Sequence, residues 1–149
     1  MINNDFYMCL ERGRQAEIMV MNAFRSMGYE VMDVSKCRDY WDKDIDLLIW
    51  DHNLKQYAFE IKADWSLGRT QNIVLEMTSK TGCDGWFKTT ECTHIVFCDM
   101  QNRIAYIARM HELREYVNDN KTLDHAVLNG CDCVLVNIND YDKFQRIAI

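Results

Sequence analysis

Proline is absent from this chain of 149 residues, and glycine occurs only six times. No proline-rich or glycine-rich stretch therefore marks a linker between domains. A chain of this length can bury one substantial core but is too short for two ordinary domains. Hydrophobic residues make up 48% of it and charged residues 27%, which is typical of globular proteins. We therefore expect one domain over residues 1–149.

The sequence also lacks any apolar run near the roughly 18 residues that a membrane-spanning helix requires. Its first five residues, Met1-Ile2-Asn3-Asn4-Asp5, have neither the basic nor the apolar region of a signal peptide. These two absences predict a cytoplasmic protein that does not associate with membranes.

Basic residues are in the minority. Lysine and arginine total 17 against 23 aspartates and glutamates, so the formal net charge is −6. Bulk charge of this sign does not attract nucleic acid. If nucleic acid is the partner, contact must come from a local patch, a metal ion or the combined surface of a homodimer.

No paired CxxC motif occurs among the seven cysteines, and their odd number argues against a complete disulfide framework. A zinc site built from Cys83, Cys92, His94 and Cys98 is one interpretation. The commoner role of such cysteines is as small apolar core residues.

Residues 5–27 have the periodicity of one amphipathic helix that ends near Gly28. Its stripe of core-facing positions is Leu10, Gly13, Glu17, Val20, Phe24 and Met27. Arg12 and Arg14 are expected on the flanks of this stripe, facing solvent. Glu17 stands out, because a carboxylate within an apolar stripe is costly without a partner. It either reaches water at the edge of the stripe or points at a functional site.

Two strands are predicted next, over residues 44–50 and 57–64, joined by a short polar connection. Strand alternation places Asp44 and Asp46 on one face of the first strand. Glu60 and Lys62 share one face of the second strand. The opposite faces are apolar, with Ile45, Leu47 and Ile49 on the first strand and Phe59, Ile61 and Ala63 on the second.

A hairpin of these strands would bring Asp46 close to Glu60 and Lys62. Two carboxylates and a lysine side by side are unfavourable unless a cation or a substrate uses them. An exposed cross-strand ladder of ion pairs would produce the same alternation.

The remaining pattern predicts further strands at residues 29–35, 72–78, 94–98, 104–109 and 133–138, and a helix at 110–117. Residues 86–92 are either a short helix or irregular, 121–130 have no clear pattern, and 141–147 suggest a terminal helix. The order of elements favours an α/β or α+β fold with one central sheet.

The combination of Asp46 with Glu60-Ile61-Lys62, after an amino-terminal helix that carries Glu17, resembles the PD-(D/E)xK nuclease superfamily. The resemblance covers residues 8–110 and implies a restriction-endonuclease-like core, a mixed sheet flanked by helices. The superfamily's usual proline before the motif aspartate is replaced by Ile45. Asp44 therefore remains a reserve candidate beside Asp46, which is preferred because the strand continues directly from it.

The segment from Thr70 to Glu76 is also similar to small phage- and plasmid-type members, in which a Thr-x-Asn turn leads into a strand that ends in a glutamate. Contacts to nucleic acid are expected from Arg69, Thr70, Asn72 and Lys88, with aromatic and basic support from residues such as Lys80 and Trp86. Tryptophan at such positions is more often a packing residue.

The chemistry follows from the residue types. Mg²⁺ is bound through one or two carboxylates together with waters and phosphate oxygens, which suits Asp46 and Glu60. Lys62 can orient the attacking water or stabilise the charge of the transition state. The resemblance adds the carbonyl of Ile61 as a metal ligand and gives Glu17, or Glu76 in its place, the task of holding a metal-bound water or Lys62.

The sequence thus predicts a nuclease dependent on Mg²⁺ or Mn²⁺, with DNA as the expected substrate and an endonuclease as the expected type. The alternative is a nuclease fold that has lost catalysis and serves as a binding or inhibitor module.

Overall fold

The computed structural model describes residues 4–149, with side chains from residue 7 onward. The elements in chain order are α1 (Asn4–Ser26), β1 (Glu30–Asp33), α2 (Arg38–Trp41), β2 (Leu47–Trp50), β3 (Gln56–Asp64), α3 (Leu67–Thr70), β4 (Asn72–Thr78), α4 (Trp86–Thr89), β5 (His94–Asp99), β6 (Ile104–Arg109), α5 (Met110–Asp119), β7 (Asp124–Leu128), β8 (Cys131–Asn137) and β9 (Gln145–Ala148).

Six strands form the central sheet in the order β1-β2-β3-β5-β6-β9. Within residues 4–149, only the neighbours β3 and β5 run parallel, so the sheet is mixed and the predicted α/β fold class is confirmed. Parallel neighbours need a long crossover connection. Here the crossover contains α3, β4 and α4, and β4 joins β8 and β7 in a second, three-stranded sheet that the sequence did not predict.

Helix α1 covers one face of the central sheet. Its core residues Ala16, Val20 and Phe24 recur every four positions and pack with Leu47 and other residues of the sheet. The predicted stripe is correct in its middle and wrong at both ends, since 55% of Leu10 and 43% of Met27 is exposed. Helix periodicity identifies a face, but it does not show how far along that face the sheet reaches.

The opposite face of the central sheet is covered by the second sheet and α5. The core there includes Leu48, Ile73 and Leu75, together with Ile45. We expected Ile45 beside Leu47 and Ile49, and this was wrong. The backbone of Asp44 has a φ of 51°, which interrupts strand alternation, and β2 begins only at Leu47.

The carboxyl-terminal helix predicted at 141–147 is also wrong. Residues Gln145–Ala148 form β9, which pairs antiparallel with β6 at the edge of the central sheet. Just before it, the ring of Phe144 packs edge-on against Tyr141 and Tyr106. Long-range pairing and aromatic packing therefore decide the conformation of this segment rather than its local pattern.

Residues 124–128, which gave no clear prediction, form β7. The turn from β7 to β8 consists of Asn129 and Gly130, whose φ angles are 52° and 80°. Positive φ at both residues is what a tight hairpin turn with Asn-Gly requires. No helix within residues 4–149 is long and apolar enough to span a membrane.

Candidate active site

Asp46 lies where β2 and β3 separate. The last paired residues are Leu47 and Phe59, and Oδ2 of Asp46 accepts a hydrogen bond of 2.8 Å from the backbone amide of Ile61. The amide and carbonyl of one strand residue point the same way. We call the place where the two strands separate, between Asp46 and Ile61, the fork. The carbonyl of Ile61 is therefore directed into the fork, as is the carboxylate of Asp46.

Glu60 lies beside Asp46 in this fork and is only 6% exposed. Its carboxyl group is close enough to that of Asp46 for each to change the pKa of the other. Burial raises the pKa of Glu60 to about 8, and the neighbouring charge of Asp46 adds to this rise. Burial also raises the pKa of Asp46. Each carboxylate is thus costly to ionise, so the pair favours a proton or a cation between its members.

Lys62 is the third member of the group. Its Nζ forms an ion pair with Oε1 of Glu60 and lies 4.7 Å from the centroid of the Trp86 ring. The predicted proximity of Asp46, Glu60 and Lys62 is therefore present. The burial of Glu60 is inconsistent with an exposed ladder of ion pairs, because such a ladder would leave the carboxylate in water.

Glu17 approaches the fork from α1. Its negative charge acts on Asp46, where it contributes to the raised pKa. Its Oε2 accepts a bond of 2.7 Å from Arg14, which also contacts Oδ2 of Asp33 at 2.6 Å and the Ser35 hydroxyl at 3.2 Å. We expected Arg14 to face solvent. It instead joins α1 to β1 and holds Glu17.

The two reserve carboxylates, Asp44 and Glu76, are each near one member of the group. Asp44 is close enough for its charge to raise the pKa of Glu60. Glu76 lies with Lys62 along a cleft of about 640 Å³ between the central sheet and the second sheet. Further residues along this cleft are Asp64, Val74, Ser79, Lys80, Trp86, Phe97, Leu128, Asn129, Cys131 and Cys133.

None of the four residues predicted to contact nucleic acid lines this cleft. Arg69 is exposed on α3, and Thr70 forms a local turn with the backbone of Asn72. The Asn72 side chain accepts a bond from Asn137 at 3.3 Å, and Lys88 forms an ion pair with Asp84 at 3.0 Å. Lys80 and Trp86 do line the cleft.

The predicted zinc ligands are not brought together. Cys92 and Cys98 belong to the cores on opposite faces of the central sheet, and Cys83 is exposed. Burial raises the pKa of Cys92 to about 11 and that of Cys98 to about 12, which disfavours the thiolates that zinc requires. His94 stacks on Phe59 with ring centroids 4.8 Å apart.

No group of three or more histidine, cysteine, aspartate and glutamate side chains within the described part of the chain is arranged to hold a metal ion. The donors at the fork are instead two carboxylates, from Asp46 and Glu60, and the carbonyl of Ile61. Hard oxygen donors of this kind and number suit Mg²⁺, which keeps several waters and uses few protein ligands. The unfavourable proximity of the two carboxylates is the observation that supports the fit.

Sequence reasoning missed the contact of Trp86 with Lys62, the role of Arg14 and the cleft wall formed by the β7–β8 hairpin. The hairpin had a local signal, the dipeptide Asn129-Gly130 between apolar residues. The pairing of Arg14 with Glu17 had one too, because residues three apart are neighbours on a helix. The contacts of Arg14 with β1 and of Trp86 with Lys62 join residues distant in sequence.

No protein-family model matches the chain, and no curated protein sequence matches it. Among solved structures, the fold is similar to that of a bacterial homing endonuclease, I-Ssp6803I, with a TM-score of 0.54. The similarity covers 89% of this chain and 77% of that one, at 14% sequence identity. A nuclease of that kind therefore shares the overall arrangement of helices and strands described above.

Proposed function

We propose that this protein is a divalent-metal-dependent endonuclease of the PD-(D/E)xK type that hydrolyses phosphodiester bonds in DNA. The observation that carries the proposal is the convergence of Asp46, Glu60, the Ile61 carbonyl and Lys62 where β2 and β3 separate. The fold shared with a homing endonuclease supports both the reaction and the choice of DNA.

In this proposal the carboxylates of Asp46 and Glu60 and the carbonyl of Ile61 hold Mg²⁺ or Mn²⁺. The bound ion supplies a water of lowered pKa and offsets the charge of the phosphate. The amide of Ile61 fixes one oxygen of Asp46, so that carboxylate is oriented before any ligand arrives.

Lys62 is the proposed electrostatic catalyst. Its ammonium group is paired with Glu60, and it lines the open cleft from which a phosphate would approach. When Glu60 binds a cation, the ammonium is free to donate to a phosphate oxygen or to the attacking water. A preorganised ammonium of this kind stabilises the charge that develops on the phosphate in the transition state.

Glu17 is proposed to accept a hydrogen bond from a water in the fork, since Arg14 holds its carboxylate near Asp46. Asp44 and Glu76 remain reserve groups. Arg69, Thr70, Asn72 and Lys88 lie outside the cleft and are proposed to contact DNA only beyond the cutting site.

The test is cleavage of linear, nicked, branched and single-stranded DNA, and of RNA, with Mg²⁺ or Mn²⁺ and with EDTA as a control. We expect cutting that requires the metal and is lost in Glu60→Ala and Lys62→Ala. Lys55→Ala is a matched control, because Lys55 also contacts an aromatic ring, that of Tyr57, but lies outside the cleft. Binding of DNA without cutting would instead indicate the inactive module.

We also propose that the active form is a homodimer, because a combined surface is one way in which a chain with a formal charge of −6 can contact a duplex. Sedimentation that finds only monomer at high concentration would contradict this.

A further inference from the structure

We infer that Trp86 is the residue that positions Lys62 in the active site. This inference rests on the proposed function, but its central contact can be tested without it. Among the described residues, the Lys62 ammonium contacts the indole ring of Trp86 and the carboxylate of Glu60. An ammonium over the face of a tryptophan is attracted by the negative potential of the ring.

The need for a second contact follows from the proposed use of Glu60. If Glu60 binds a cation, the ion pair with Lys62 weakens, and a lysine has four flexible bonds through which to move away. The ring of Trp86 is uncharged, so a cation at Glu60 does not compete for it. Trp86 therefore keeps the Lys62 ammonium at the cleft both when Glu60 binds a cation and when it does not.

The position of Trp86 is itself fixed by close packing. Gly85 immediately precedes α4, and a Cβ atom there would lie 2.4 Å from the backbone oxygen of Glu76 on β4. The amide of Gly85 also donates to the carbonyl of Met77 at 3.0 Å. Only glycine allows this approach of α4 to β4. The backbone of the second sheet thus sets where the indole lies.

Two further contacts hold the same short helix. The Trp86 ring packs edge-on against Phe87 and tilted against Phe97 of β5. Arg114 of α5 donates from Nη2 to the carbonyls of Phe87 at 3.1 Å and Thr90 at 2.8 Å. Helix α4, which carries Trp86, is thus attached to β4, β5 and α5, as the support of a positioning residue requires.

The first measurement is the ¹H–¹³C NMR spectrum of the lysine methylene groups. The signals of the Lys62 methylene groups are those that are missing from the spectrum of Lys62→Arg. In the wild type we expect upfield ring-current shifts of their protons. The shifts should disappear in Trp86→Leu, persist in part in Trp86→Phe and be altered in Gly85→Ala, which keeps the indole but displaces it. Trp65→Leu is the control, because Trp65 contacts Arg12 instead, at 5.1 Å.

The second measurement is steady-state cleavage. Trp86→Leu should lower kcat by about 10–100-fold, the usual effect of removing a group that orients a functional residue. KM should stay close to the wild-type value, and Trp86→Phe should recover most of the rate. A loss confined to KM would mean that the ring binds the DNA strand, and would overturn the positioning role.

Unshifted Lys62 protons in the wild type, or shifts that persist in Trp86→Leu, would also overturn the inference. Failure of the wild type to cut any substrate would refute the nuclease proposal instead, and the NMR result would still decide the contact.

Discussion

The backbone amide of Ile61 donates a hydrogen bond of 2.8 Å to the carboxylate of Asp46, fifteen residues earlier in the chain. It replaces the ladder bond that is lost where β2 and β3 separate. Asp46 thus satisfies a backbone amide of the sheet with one carboxylate oxygen and supplies the other oxygen to the fork.

Asp46→Asn should abolish cleavage but preserve the fold. Its amide oxygen can still accept from Ile61, while the charge that binds a cation is gone. A metal ion contributes several kcal/mol of transition-state stabilisation, so we expect a loss of about 10³-fold. The control is Asp42→Asn, because the Asp42 carboxylate is exposed in the preceding turn. This variant should cut normally, and its free energy of unfolding should lie within about 0.5 kcal/mol of the wild-type value. Full activity in Asp46→Asn would exclude Asp46 as a ligand.

Without metal, stability should fall as the pH rises from about 5 to about 8. The pKa of Glu60 is raised from 4.5 to about 8 by burial in the folded state. Over that range the folded protein binds the proton more tightly than the unfolded chain, so the free energy of unfolding decreases with pH. Denaturant unfolding in EDTA measures this.

Glu60→Gln has no ionisable group at this position, so its free energy of unfolding should change less over the same pH range. At pH 8.5 the free energy of unfolding of this variant should exceed that of the wild type. Adding Mg²⁺ should stabilise the wild type but not this variant. Parallel pH profiles for the two proteins would show that Glu60 ionises normally.

Glu17→Gln should slow cleavage by about 10–100-fold, since Glu17 is proposed to act on a water rather than on the metal directly. The fold should tolerate the change, because the glutamine oxygen can still accept from Arg14. Glu11→Gln, on the exposed part of α1, is the matched control and should leave the rate unchanged. Equal rates for both variants would remove Glu17 from the site.

Phe24→Ala should destabilise the protein by about 3–5 kcal/mol, because the ring is buried between α1 and the central sheet. Leu10→Ala should change the free energy of unfolding by less than about 0.5 kcal/mol, since most of Leu10 is exposed. Thermal or urea unfolding compares the two. A large effect of Leu10→Ala would show that this end of α1 is covered in solution.

Much of the fold was predictable, because helix and strand periodicity are local properties. The strand predicted at residues 72–78 is β4, where the alternating residues Ile73 and Leu75 are both buried. The failures occurred where distant contacts override local pattern. Residues Gln145–Ala148 have a helical pattern but pair with β6 as a strand. Ile45 packs on the opposite face of the central sheet from the one predicted, because the backbone of Asp44 has a positive φ.

Strand alternation, with its period of two, predicted that Glu60 and Lys62 share one face of β3, and the short connection to β2 predicted that Asp46 lies near them. Only long-range packing determines that Glu60 is buried, that the Ile61 carbonyl points into the fork and that Trp86 contacts Lys62. These depend on where β2 leaves β3 and on how the second sheet covers the first. Such contacts between residues far apart in the chain leave no periodic trace in the sequence.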